Sequence, residues 1–146
     1  MTTSPSSWYT VSRQRDPMTS SPARARTVLI ADDEPSIRET AAFILESEGY
    51  SVLLAANGEE AMARIRAERP GAVLLDIEMP RKDGLAVCRE IKADAALRGT
   101  YVILLTARGQ KKDEVEGLAA GADTYLTKPF DDEEILRRLD RVFARP

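Results

Sequence analysis

The sequence runs to 146 residues, 43% of them hydrophobic and 31% charged, enough for one domain with its own core and too few for two ordinary ones. Net charge is −3, but Arg13, Arg15, Arg24 and Arg26 against Asp16 put +3 on residues 1–26 and leave −6 on the remainder, an acidic body that argues against nucleic acid as a direct ligand. The chain has no histidine, which excludes a histidine kinase, a phosphohistidine carrier, Ser-His-Asp and Cys-His catalysis and imidazole-built metal sites. A metal here would need oxygen ligands, which favours a hard cation such as Mg²⁺.

The single Cys88 allows no internal disulfide and fits a reducing compartment. No apolar run approaches the roughly 20 residues needed to span a bilayer. The N-terminus lacks the apolar stretch of a secretory signal, so no membrane association and a cytoplasmic location are expected.

Residues 1–26 show no apolar periodicity. Runs such as Thr2-Thr3-Ser4-Pro5-Ser6-Ser7 and Thr19-Ser20-Ser21-Pro22 predict a disordered extension, within which Trp8 and Tyr9 are the alternative reading as a partner anchor. Met18, followed by a short polar stretch, is expected to be the true start, with Met1–Pro17 an upstream extension.

From Thr27 the pattern alternates regularly. Short apolar runs predict strands over Val28–Ala31, Val52–Ala55, Ala72–Leu75, Tyr101–Leu105 and Thr124–Leu126. They lack polar alternation, as expected for strands covered on both faces. Helical stripes follow each strand: Ile37, Ala41, Ile44 and Leu45, then Ala61, Met62 and Ile65 before Pro70-Gly71, then Leu85, Cys88 and Ile91. The fourth stripe is Val115, Leu118 and Ala119, ending at Gly121, a candidate C′ residue. The fifth is Ile135, Leu136, Leu139 and Val142, opened by Asp131-Asp132-Glu133-Glu134 at its positive dipole end. Five βα units of this size imply an α/β fold with a doubly wound parallel sheet. In such sheets ligands bind beyond the carboxyl ends of the strands, at the topological switch point.

Those strand ends carry the chemistry. Strand one runs into Asp32-Asp33, strand three into Asp76, strand four into Thr106-Ala107 and strand five into Lys128-Pro129. Each residue alone has an ordinary reading: Asp32 and Asp33 as caps of a helix opened by Pro35, Asp76 as a loop acceptor, Thr106 as a turn residue, Lys128 as a solvated charge. Together they are harder to dismiss, because three clustered carboxylates are unfavourable without a cation. Phosphoryl transfer to a carboxylate suits the set. An ionised carboxylate is a nucleophile that needs no general base, a dication and a lysine neutralise the transferring group, and a hydroxyl positions its oxygens.

On these motifs the sequence resembles the response-regulator receiver domain of two-component signalling, of the stand-alone, single-domain type. The resemblance covers residues 27–146 and rests on Val28-Leu29-Ile30-Ala31-Asp32-Asp33-Glu34, Leu75-Asp76-Ile77-Glu78-Met79-Pro80 with Asp83-Gly84, Leu105-Thr106-Ala107, and Gly121-Ala122-Asp123-Thr124-Tyr125-Leu126-Thr127-Lys128-Pro129-Phe130. It implies a flavodoxin-like, five-stranded sheet of order 2-1-3-4-5 with five helices.

The resemblance also implies roles. Asp76 is the phosphoacceptor, supplied by a histidine kinase or histidine phosphotransfer protein in a phosphorelay. Mg²⁺ is held by Asp33 and Asp76 directly, Asp32 through water and the Glu78 backbone carbonyl. Thr106 and Lys128 bind phosphoryl oxygens, Ala107 leaves room beside them, and Lys128-Pro129 is a cis peptide. Tyr125 is the aromatic switch, turning inward as Thr106 moves and changing the partner preference of the surface formed by helix 4, strand 5 and helix 5. Glu78 and Arg108 tune the lifetime of the acyl phosphate, unless both simply face solvent. Lys111, Lys112, Asp113, Arg137 and Arg138 suit either a homodimer formed on phosphorylation or a solvated face. The resemblance implies a signalling module with autocatalytic phosphotransfer and autodephosphorylation rather than a metabolic enzyme. Two alternatives stand beside it: a Mg²⁺-dependent aspartyl-phosphate phosphatase, and a phosphorylation-independent adaptor.

Overall fold

The structure is a computed structural model that describes residues 26–107 and 111–143. The expected disordered leader up to residue 25, with Trp8, Tyr9 and Met18, lies outside the described residues, as does Arg108. The elements follow one another as β1 (Thr27–Ala31), α1 (Pro35–Ser47), β2 (Ser51–Ala55), α2 (Gly58–Glu68), β3 (Ala72–Asp76), α3 (Gly84–Ala93), β4 (Tyr101–Ala107), α4 (Lys111–Ala119), β5 (Thr124–Lys128) and α5 (Asp132–Phe143). The five strands form one parallel sheet in the order β2-β1-β3-β4-β5, as expected. Among the described residues, no helix is long and apolar enough to cross a membrane.

Alternate residues along each central strand feed the two faces of the sheet. Leu29, Ala31, Val73, Leu75, Val102 and Leu104 pack with α2 and α3 residues such as Ile65, Val87 and Ile91. Val28, Ile30, Ala72, Leu74, Ile103 and Leu105 pack with Leu45 of α1 and Ile135 and Leu139 of α5. The two edge strands depart from the expectation of strands covered on both faces. In β2 only Ala55 is fully buried, and in β5 only Leu126, because an edge strand has a neighbour on one side and its helices overhang it incompletely.

Three strands run further than their apolar residues. β3 includes Asp76, β4 includes Thr106 and Ala107, and β5 includes Thr127 and Lys128. Ladder pairing continues through Asp76 opposite Leu105, Thr106 opposite Thr127 and Ala107 opposite Lys128. Backbone hydrogen bonding is indifferent to side-chain polarity, so ladder pairing runs past the last apolar residue of each of these strands.

Helix α4 departs further. Its expected apolar stripe is turned outward: Val115 is 64% and Leu118 53% exposed, and Gly117 is the one fully buried residue of the helix. A Cβ at Gly117 would lie 2.5 Å from Leu104 Cδ1, so the helix meets β4 through bare backbone. The expected stop is observed. Gly121 has φ +101°, and Ala122 N–H donates to Gly117 O while Gly121 N–H donates to Leu118 O, the paired bonds of a Schellman cap.

Two other glycines fix the approach of α2 and α3 to the loop after β3. A Cβ at Gly58 would sit 1.9 Å from the Lys82 carbonyl oxygen, and one at Gly84 would sit 2.4 Å from that of Asp76. Backbone atoms cannot rotate away as a side chain can. Gly58→Ala is therefore expected to destabilise the fold by about 1–3 kcal/mol in urea unfolding. Gly99→Ala, with nothing within 4 Å of its added Cβ, is expected to stay within about 0.5 kcal/mol. Equal effects at the two positions would contradict this packing.

Candidate functional site

The strand order reverses between β1 and β3, which lie side by side with β2 and β4 outside them. The crevice at this switch point is a cleft of about 610 Å³, and Asp33, Asp76, Glu78, Ala107 and Lys128 are among its lining residues. Asp32 lies beneath it, fully buried, and Thr106 is 1% exposed.

Local structure holds each carboxylate. Asp32 Oδ1 accepts from Glu34 N–H at 3.0 Å, so Asp32 closes the turn into α1. The helix itself starts at Pro35 behind Glu34, which makes no side-chain cap bond. Capping is therefore not the use of Asp33, which is exposed at the cleft. The Arg38 guanidinium donates to the Asp32 backbone oxygen at 2.6 Å, tying α1 to the end of β1. Asp76 Oδ1 accepts from Glu78 N–H at 3.3 Å. Ile77 N–H donates to Leu105 O, and Gly84 N–H to Ile77 O, so the backbone around Asp76 is anchored on both sides.

Lys128 reaches over these acids from β5. Its Nζ lies 2.9 Å from Asp32 Oδ2 and 3.4 Å from Asp76 Oδ1. The peptide between Lys128 and Pro129 is cis. Burial would lower the Lys128 pKa, but Asp32 and Asp76 outweigh it and hold the ammonium above its ordinary value. Asp76 is pushed up to about 7, first by burial and then by the Asp32 charge, with Lys128 and the Glu78 N–H only partly offsetting them. The sequence-based expectation that this carboxylate is simply ionised at pH 7 therefore needs a further positive charge.

Carboxylate oxygens of Asp32, Asp33 and Asp76 all lie within 4.8 Å of one another. Asp32 Oδ2 is buried with the Lys128 ammonium as its one described partner, and a carboxylate oxygen has a second lone pair to offer. An all-oxygen donor set of three carboxylates sharing one ammonium suits a hard dication such as Mg²⁺. Thr106 Oγ1 is likewise buried without a partner, a free hydroxyl at the edge of the same corner. Glu78 and Ala107 are exposed at the rim.

Tyr125 stands apart from this cluster. It is half-buried against the apolar layer under α2 and α3, and the Glu114 carboxylate of α4 beside it raises the phenol pKa. Two acids in the cleft wall were not anticipated from sequence: Glu34, and Asp113 from the first turn of α4. The available signal for Asp113 was an acidic residue in the opening turn of the helix that follows β4.

A flavodoxin-like sheet whose switch-point crevice gathers three acids, a hydroxyl and an ammonium is the architecture of a receiver domain. The response regulator receiver domain family matches residues 28–140, and the chain belongs to it. Among its relatives, the response regulator MprA of Mycolicibacterium vanbaalenii is 44% identical over 118 residues, covering 81% of this chain and 50% of that protein. MprA of Mycobacterium tuberculosis is 45% identical over 122 residues, with the same coverage. The chain thus spans about half the length of the curated relatives it matches.

Among solved structures, a response regulator from Chloroflexus aurantiacus has TM-score 0.78 and 34% identity, covering 82% of this chain and 98% of that one. The receiver domain of the sensor histidine kinase PA1611 from Pseudomonas aeruginosa has TM-score 0.76 and 34% identity, covering 83% and 99%. That structure has a magnesium ion coordinated in its active-site cleft.

The Asp76 shift has a direction that can be checked. Its folded pKa lies above the unfolded value of 3.8, so its contribution to stability is present in acid and is lost as pH rises through about 7. Without divalent cations, wild-type stability is expected to fall relative to Asp76→Asn between pH about 4 and about 8, by on the order of 2 kcal/mol. Thermal melts in chelator read this difference. Parallel pH profiles for the two proteins would refute it.

Proposed function

We propose that this receiver domain is a phosphorylation-dependent signalling switch that takes a phosphoryl group on Asp76 from a histidine kinase or histidine phosphotransfer protein. The observation that carries the reading is the meeting of Asp32, Asp33 and Asp76 with Lys128 and Thr106 at one strand-end corner.

In the transfer, an Asp76 carboxylate oxygen attacks the phosphorus of a donor phosphohistidine. The O–P bond forms as the P–N bond breaks, and the electron pair returns to an imidazole that leaves neutral because its other nitrogen carries a proton. Mg²⁺ fits the Asp32, Asp33 and Asp76 carboxylates with the Glu78 carbonyl, and when bound it supplies positive charge that favours ionised Asp76 and offsets the charge of the phosphoryl oxygens. Lys128 moves from pairing with the carboxylates to pairing with a phosphoryl oxygen. The unpartnered Thr106 hydroxyl donates to another. Exposed Ala107 adds no bulk at the rim, and Glu78 places an extra acid where a hydrolytic water would enter.

Departure of Thr106 toward the phosphoryl group frees the space into which Tyr125 turns. The surface of α4, β5 and α5 then carries the signal to a protein partner, in a cytoplasmic setting where its kinase is reached.

Acetyl phosphate with Mg²⁺ is expected to add one phosphoryl group by intact mass, and chelator or Asp76→Asn is expected to abolish it. Lys128→Ala is expected to slow labelling by about a hundredfold in a timed series. Labelling that survives Asp76→Asn would overturn the assignment.

A further inference from the structure

The β1 ladder stops just short of its two acids. Pairing with β2 and with β3 ends at Ala31 on both sides. Asp32 N–H still donates to Ala55 O at 3.1 Å, but the Asp32 carbonyl oxygen is taken by a helix side chain, the Arg38 guanidinium, at 2.6 Å. Arg38 is half-buried near the start of α1, and its own N–H donates to Glu34 O. The helix has no side-chain cap at Glu34, so Arg38 is a main tie between its first turn and the strand end. Asp76, by contrast, lies inside the ladder opposite Leu105, and Ile77 N–H after it donates to Leu105 O.

Asp33 hangs from the peptide that Arg38 holds. Its carboxylate is exposed at the cleft, with an oxygen within 4.8 Å of oxygens from Asp32 and Asp76. Like charges at that spacing repel, and Asp33 lies past the last ladder bond. Rotation of the Asp32–Asp33 peptide would let its carboxylate swing away from the other two. The Arg38 bond opposes that rotation, because it fixes the direction of the carbonyl. Arg38 is not itself among the residues lining the cleft, and its described bond there goes to a neutral oxygen. What it contributes is orientation.

We propose that Arg38 is a positioning residue for divalent-cation binding: its hydrogen bond to the Asp32 carbonyl holds the Asp32–Asp33 peptide so that Asp33 stands with Asp32 and Asp76 before any cation arrives. This rests on the reading of those three acids as the Mg²⁺ site. Charge and position have opposite signs here. Removing a nearby cation lowers the repulsion felt by incoming Mg²⁺ and by itself tightens binding. Releasing Asp33 weakens binding, as loss of a group that orients a metal ligand does.

The experiment titrates the full chain, freed of metal by chelator and dialysis, with Mg²⁺ alone and follows amide NMR shifts at Asp33 and Asp76. Arg38→Ala and Arg38→Met, which remove the donor, are expected to raise the Mg²⁺ Kd by about tenfold. Arg38→Lys, which keeps a donor at nearly the same reach, is expected to stay within about threefold of wild type. Urea unfolding checks that each variant is folded, and Arg38→Met, which keeps most of the apolar stem, decides the matter if the alanine variant is not. Labelling with acetyl phosphate supplies a second readout. In Arg38→Met the Mg²⁺ concentration giving half the maximal rate is expected to rise with the Kd, while the rate at saturating Mg²⁺ stays within about twofold. A merely loosened fold would lower that saturating rate as well.

Unchanged or tighter Mg²⁺ binding in folded Arg38→Met would overturn the proposal and leave the three-acid site standing. So would a fall in the saturating rate with no change in Kd. Absence of any Mg²⁺-dependent shift in the wild type would instead remove the metal site, and the role of Arg38 with it.

Discussion

The Lys128 ammonium, 2.9 Å from Asp32 Oδ2 and 3.4 Å from Asp76 Oδ1, is the one described positive charge among the cleft's lining residues. Both carboxylates are almost fully buried, so neither has enough water to stabilise a charge by itself. One cation cannot satisfy two buried anions with Asp33 close by, and the strain shows as an Asp76 pKa of about 7. Among the described residues the corner is therefore short of positive charge. That shortage makes a dication fit, and it also makes the corner responsive to a group that changes its charge.

The fold was legible because its signals are redundant. Apolar runs and helical stripes alternate five times from Thr27 onward, and once the alternation is seen, chemistry at strand ends follows from parallel-sheet geometry. Asp32, Asp33, Asp76, Thr106 and Lys128 could be found this way because each ends an apolar run. Asp113 and Glu114 end no run. They belong to a helix whose apolar residues point outward and whose contact with the sheet is made by Gly117 against Leu104, and a pattern that assumes apolar means inward assigns such a helix the wrong face. Nor could sequence reveal that Asp76 resists ionisation, since that depends on burial and on an anion 44 positions earlier in the chain.

The cleft's two sides are built differently. On the α3 side, Gly84 abuts the Asp76 carbonyl and Gly58 the Lys82 carbonyl, contacts that leave no slack. Lys92 of α3 donates to Arg98 O, Thr100 O and Asp123 Oδ2, and Asp123 also accepts from Val102 N–H, so α3 is tied to both ends of the β4–α4–β5 excursion. The ion pairs Arg66–Glu90 and Arg66–Asp94 add little by themselves, being largely exposed. It is the backbone packing and the multiply bonded Lys92 that make this wall firm.

Firmness on one side gives looseness on the other its meaning. If both walls of the cleft yielded, added charge would be absorbed as a diffuse relaxation with no direction. Here the α3 wall and the ladder hold Asp76 in place, and the excursion is pinned beyond α4 by the Schellman cap at Gly121 and by Asp123. The first turn of α4 lies between those fixed points and sets Asp113 in the cleft wall. Among the described walls of the cleft, α4 is thus the one held by the least burial.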